Sequence, residues 1–210
     1  MTHQPITIVI TLFATIFLLN SCDNSSKAPS AAPQTEAHSQ HSMAMMQTMD
    51  AMMQRTNALK MTGDFDMDFA NMMIEHHQGA IDMSEIQLKS GADPQIKGMA
   101  QKIITAQKNE IAQLRNFVQA HPTKVAHQQQ MHGGSMQTMH QQMKSMPMSG
   151  KLDHDFASMM MTHHQGAVAM AQEEVAKGQH TEIKQMAQQM INDQQREIAE
   201  FQAWLDKNRK

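Results

Sequence analysis

From about residue 66 onward, apolar side chains recur at intervals of three and four, the period that lines one face of an α-helix. Four long stretches carry it, about 66–90, 94–119, 153–177 and 181–206, and nowhere do β-branched residues alternate with polar ones. Glycine and proline punctuate the pattern: Gly91 stops the first stretch, and Asp93 with Pro94 supplies an N-cap and a first helical residue for the second. With about 100° per residue and Phe69 at zero, Met73, His76, Ala80 and Met83 fall within about 40° of it, and Met72 about 60° away. Phe156, Met159, Met160, His163, Ala167 and Met170 form the matching face, while His77 and His164 lie on the flanks. The pattern predicts an all-α chain with a histidine in the middle of each of two apolar stripes.

The second pair of stretches copies the first. His76-His77-Gln78-Gly79-Ala80 returns as His163-His164-Gln165-Gly166-Ala167, an offset of 87 residues (163 minus 76) that also pairs Asp68-Phe69 with Asp155-Phe156, Gly91 with Gly178, and Phe117 with Trp204. Each repeat is a helical hairpin, and the economical way to bury four amphipathic helices is one four-helix bundle. A Met-rich arm precedes each hairpin, MAMMQTMDAMMQ from Met43 and MQTMHQQMKSM from Met136, and would lie beside or across the bundle. The folded domain is therefore expected over 43–210, with repeat 1 at about 43–120, a loop over 121–135 and repeat 2 at about 136–208.

Composition changes this picture in one respect. Among the 210 residues are 25 Met against seven Phe, one Trp and no Tyr. Methionine fills core gaps, but its thioether is also a soft metal ligand. Met43, Met45, Met46, Met49, Met52 and Met53 occupy nearly every side of one short helix, so they cannot all be buried. Met136, Met139 and Met143, followed by Met146 and Met148 and interspersed with His132 and His140, make the second arm. A net charge of −3 gives no electrostatic footprint for nucleic acid.

The leading segment carries a different message. The fourteen-residue, mainly apolar run 6–19 suits a signal-peptide core better than a membrane span, which needs about 20. Leu19-Asn20-Ser21-Cys22 resembles a bacterial lipobox, with Cys22, the single cysteine, as the lipidated residue. Residues 1–22 are thus expected to direct export, with an uncleaved N-terminal anchor as the alternative, and 23–42, rich in Ser, Ala and Pro, to act as a flexible tether. The domain would be lipid-anchored in the bacterial cell envelope, facing the periplasm or exterior.

A histidine on a buried face must find partners, because an unsatisfied polar group costs about 1 to 3 kcal/mol. One solution is a hydrogen bond across the bundle to Gln107, Glu110, Gln194 or Glu197. The other is a metal. Imidazole among thioethers selects Cu(I) and, by the same softness, Ag(I). The candidate ligands are His76, His163, His77 and His164 with Met72, Met73, Met83, Met159, Met160 and Met170. The arm residues Met43, Met45, Met46, Met49, Met52, Met53, Met136, Met139, Met143, His132 and His140 form a weaker, exchangeable set. Gly79 and Gly166 are assigned to close helix packing at Ala80 and Ala167. Two other classes stand beside this one: a di-iron oxidase, whose carboxylate-rich ligand set is absent here, and a metal-free structural or partner-docking bundle.

The paired HHQGA segments, the Asp-Phe before them and the Gln-x-x-Glu-Ile after them resemble the DUF305 family over about Asp64 to Leu205. The resemblance implies a ferritin-like helical bundle. It further implies copper or silver handling outside the cytoplasm, as in some members, through His76, His77, His163, His164 and neighbouring methionines. Storage, scavenging or delivery of copper to a protein partner would follow, without catalysis.

Overall fold

The structure, a computed structural model, describes residues 32–122 and 133–209, with side chains from residue 40 on. The chain divides into residues 1–30, outside the described part, and a helical unit over 31–210. The apolar segment 6–19, Cys22 and His132 lie outside the described residues. Within them are six helices and no strand: α1 (Ala32–Ala58), α2 (Phe65–Ser90), α3 (Pro94–Ala120), α4 (Gly134–Ser145), α5 (Leu152–Lys177) and α6 (Thr181–Lys207). The four long amphipathic stretches are α2, α3, α5 and α6, each beginning and ending within one residue of the hydrophobic period. Helix α1 starts well inside the stretch 23–42 expected as a tether. Pro33 stands in its first turn, where a missing N–H costs nothing, and Ala, Gln and Glu follow, so a composition that reads as linker also suits a helix.

Helices α2 and α5 pack against each other, α3 returns along α2, α6 returns along α5, and α1 and α4 cover the remaining side. Helical geometry explains this layering. His77 meets Glu110 of α3, whereas Gly79, about 200° around α2 from His77, meets Met49 and Met52 of α1. The arms are therefore a third layer laid across the bundle. Met45, Met49, Met52 and Met53 of α1 and Met136, Met139 and Met143 of α4 are buried, Met46 is half-buried, and Met43 is 55% exposed. The exposed, all-round methionine arm expected from the sequence is thus mostly core. Burying such a side chain stabilises by about 1.5 to 3 kcal/mol, which orients the arm.

The two mid-helix glycines make that layer possible. A Cβ on Gly79 would stand 2.8 Å from Met52 Sδ, and one on Gly166 2.8 Å from Met139 Sδ. Both separations are closer than packed atoms tolerate, so the glycines admit arm thioethers rather than serving Ala80 and Ala167. That contact offsets the roughly 1 kcal/mol a mid-helix glycine costs.

Aspartates tie the repeats together. Asp66, in the first turn of α2, accepts from the backbone N–H of Gln179 and His180 at the α5–α6 turn, at 2.9 and 3.1 Å. Asp153, its counterpart on α5, accepts from Ala92 and Asp93 N–H at the α2–α3 turn, both at 3.2 Å. Asp68 and Asp155 hold the chain entering each hairpin, through Thr62 N–H at 2.7 Å and Ser149 N–H at 2.7 Å. Gly63 and Gly150 precede α2 and α5 at φ +80° and +73°, a left-handed backbone that glycine adopts without a Cβ penalty.

At one point the repeats differ. Gln87 donates its amide to Asp153, but the matching residue facing Asp66 is a second carboxylate, Glu174, completely buried. Burial, then its hydrogen bond to Asp66, raises the Glu174 pKa from 4.5 to about 9. Glu174 therefore keeps a proton at neutral pH and donates it to Asp66, as the Gln87 amide does to Asp153. Because the folded state holds this proton where the unfolded state releases it, the stability is complete below about pH 4.5 and is lost as pH rises toward 9. The slope approaches about 1.4 kcal/mol per pH unit. Glu174→Gln is expected to flatten this dependence and to melt higher than wild type at pH 8. A variant that melts lower at pH 8, with the alkaline loss intact, would contradict the assignment.

Candidate metal centre

His76 of α2 and His163 of α5 meet at the centre of the unit. Their ring centroids are 3.7 Å apart, with planes inclined by 42°. Both residues are fully buried, and all four ring nitrogens lack a hydrogen-bond partner. Burial, reinforced by the neighbouring imidazoles, holds both pKa values well below the ordinary histidine range. The pair is therefore neutral at pH 7, with unprotonated nitrogens available as ligands.

His77 and His164 point the other way. Their Nε2 atoms approach Glu110 Oε2 at 2.8 Å and Glu197 Oε2 at 2.7 Å. The distances are those of ion pairs, but the ring N–H directions are not aligned on the carboxylates, so neither qualifies as a directed hydrogen bond. Gln107 and Gln194 are buried beside these glutamates with both amide atoms unpartnered. Between α3 and α6 a cleft of about 230 Å³ is lined by Gln107, Glu110, Asp193, Gln194, Arg196 and Glu197. The result is a polar layer through the bundle: acids and amides toward the cleft, and a close pair of neutral imidazoles at the centre.

On the far side of that layer the chemistry turns to sulfur. Met72 and Met73 precede His76 by one turn, Met159 and Met160 precede His163 by one turn, and Met83 and Met170 follow two turns later. All six are buried in one continuous core. Met52 Sδ covers Gly79 and Met139 Sδ covers Gly166, each one turn from the central histidine of its repeat. Met72 ends with its methyl beside Gly133, at the start of α4. Of the remaining arm residues, Met43 is in solvent and His140 Nε2 contacts Asp50 Oδ1 at 2.8 Å, so neither is brought to the central pair.

The layer's residues fit a soft ion. Four orphaned imidazole nitrogens at about 1 to 3 kcal/mol each are a large cost for a site that only packs. Among the described residues no three imidazole, thiol or carboxylate groups converge closely enough to hold an ion. Completing a coordination sphere at the central pair therefore falls to thioethers. The helical period placed His76 and His163 on buried stripes but left open which stripe each one meets. The approach of Met52 and Met139 had a signal in Gly79 and Gly166, read instead as helix-packing glycines.

Comparison with known proteins places the fold. The model of the family described as a domain of unknown function, DUF305, matches residues 16–118 and 117–205. CopM in its Cu(I)-bound form is similar with 28% identity and a TM-score of 0.53, over 68% of this chain and 96% of that one. CopM in its Cu(II)-bound form is similar with 29% identity and a TM-score of 0.54, over 68% and 97%. A DUF305 fragment from Deinococcus radiodurans, 21% identical over 68% and 95% with a TM-score of 0.53, shares the fold. No curated protein matches. With the tandem family match spanning both hairpins, the chain belongs to the DUF305 family.

Proposed function

We propose that this protein binds Cu(I), and Ag(I) in its place, through the central histidines and the thioethers around them, for storage, scavenging or delivery of copper in the cell envelope. The observation that carries the proposal is the fully buried, neutral His76–His163 pair with four unpartnered nitrogens in a methionine core. Structures of CopM, 27–29% identical, hold Cu(I), Cu(II) or silver, which supports copper or silver as the cargo. Cu(I) prefers soft sulfur and accepts imidazole. Neither a thioether nor an imidazole that burial keeps neutral must lose a proton to bind, so uptake would stay effective at mildly acidic pH.

Ring spacing bears on stoichiometry. A metal–imidazole bond of about 2.0 Å puts the ring centre about 3.1 Å from the ion, so two imidazoles on one ion at about 90–110° have centres about 4.5 to 5.2 Å apart. At 3.7 Å, His76 and His163 are too close to share an ion as they stand. In the proposed arrangement each takes its own, His76 with thioethers that include Met52 and His163 with thioethers that include Met139. His77 and His164, engaged by Glu110 and Glu197, support the rings rather than bind. The ions are cargo, and no covalent chemistry is proposed. The polar cleft between α3 and α6 supplies carboxylates at the outer edge of the layer, a route by which a cation approaches.

Export and lipid anchoring at Cys22 belong to the same proposal, supported by the apolar segment 6–19 and the lipobox-like Leu19-Asn20-Ser21-Cys22. Palmitate labelling of the membrane fraction is expected for wild type and absent for Cys22→Ser. Equal labelling of both would remove the anchor. For the metal, a Cu(I) competition titration is expected to show two tight equivalents in wild type, one in His76→Ala and none in the His76→Ala, His163→Ala double variant. Unchanged stoichiometry and affinity in the double variant would defeat the central-pair site.

A further inference from the structure

Away from the central layer, a second pair of histidines meets on the surface. His121 caps the C-terminus of α3 and His180 caps the N-terminus of α6. Their ring centroids are 4.7 Å apart with planes at 64°. Phe117 walls the pair, stacked on His121 at 4.5 Å and edge-on to His180 at 5.6 Å. His121 is half-buried and His180 exposed, so the pair is open to solvent.

The equivalent positions of the duplication show what these two sites need for folding alone. The 87-residue offset pairs His121 with Asn208, His180 with Asp93 and Phe117 with Trp204. Asn208 donates its side-chain amide to Trp204 O at 2.8 Å, and His121 does the same work with Nδ1, 3.0 Å from Phe117 O. That bond places the proton on Nδ1 and leaves the Nε2 lone pair free. A backbone carbonyl holding one ring nitrogen while the other binds is the usual support of a metal-ligating histidine. Asp93 caps α3 by accepting from Gln95 and Ile96 N–H at 2.8 and 3.0 Å. His180 makes no side-chain cap on α6. The second repeat's return turn therefore forgoes a cap worth about 1 kcal/mol and carries an imidazole instead. Its backbone is fixed by Asp66, which accepts from His180 N–H at 3.1 Å.

We infer that His121 and His180 chelate a borderline divalent cation at the surface, with Cu(II) the tightest. The 4.7 Å separation falls inside the range of about 4.5 to 5.2 Å expected for two imidazoles on one ion at about 90–110°. The central rings, at 3.7 Å, fall outside it. No thioether is needed at this site, so it selects for nitrogen-preferring ions where the methionine core selects for soft ones, and Cu(II) leads the divalent series on nitrogen ligands. Water fills the remaining positions, which makes the ion exchangeable. The site is independent of the proposed Cu(I) core and survives its failure.

The test is a Cu(II) titration of the full chain, wild type against His121→Asn and His180→Asn, followed by nitrogen hyperfine structure in the electron paramagnetic resonance spectrum. Asparagine reproduces the residue at the equivalent C-cap of α6 and is itself a preferred N-cap, so both variants keep the fold. Each is expected to lose one Cu(II) equivalent or to bind it at least tenfold more weakly. Melting temperature is expected to hold or rise in His180→Asn, and Cu(I) uptake to be unchanged. Equal Cu(II) stoichiometry and affinity in wild type and both variants would overturn the site. So would variants that melt lower while Cu(II) binding stays intact, since the rings would then serve packing only.

Discussion

Two uncharged imidazoles pressed together where α2 meets α5 set the terms for everything around them. A polar ring buried without a partner is tolerated only when the surroundings keep it neutral, and here burial and the flanking imidazoles do so. Each side of the layer contributes differently. Toward α3 and α6, His77 and His164 stand between the central rings and the carboxylates of Glu110 and Glu197, keeping acid and solvent at the edge. Toward α1 and α4, Gly79 and Gly166 let thioethers approach within one turn of the same rings. The bundle thus holds a neutral nitrogen pair with oxygen and amide groups on one side and sulfur on the other.

Duplication does more than repeat this arrangement, because neither hairpin completes itself. Asp66 in the first repeat secures the turn of the second, and Asp153 in the second secures the turn of the first. These crossed contacts lock α2 against α5 and so fix the spacing of His76 and His163. Where the copies diverge, the divergence has local physical content: a protonated Glu174 stands in for the Gln87 amide, and histidines 121 and 180 replace an asparagine and a capping aspartate. The core layer is symmetric while one end of the unit is not.

The helices and the two central histidines were legible in the sequence, because a 3.6-residue period over four long stretches leaves little freedom and an 87-residue offset marks equivalent positions. The arms were not. Met45, Met49, Met52 and Met53 form a buried stripe with Gln47, Asp50 and Gln54 opposite it, but Met43 and Met46 outside the stripe have the same hydrophobicity and blur its edge. The extension of α1 back to Ala32 was hidden because Ala, Gln, Ser and Pro serve a linker and a helix start equally well. The Glu174–Asp66 pair and the His121–His180 pair depend on contacts between distant residues, one from each repeat, which no local period encodes.

The central claim is that each soft ion is held by sulfur and imidazole nitrogen together, and X-ray absorption of the Cu(I)-loaded full chain reads this directly. The account predicts sulfur scatterers at about 2.3 Å together with imidazole nitrogen at about 2.0 Å, the nitrogen signal vanishing when His76 and His163 are both replaced. A spectrum of sulfur alone in wild type, or of nitrogen and oxygen without sulfur, would contradict it.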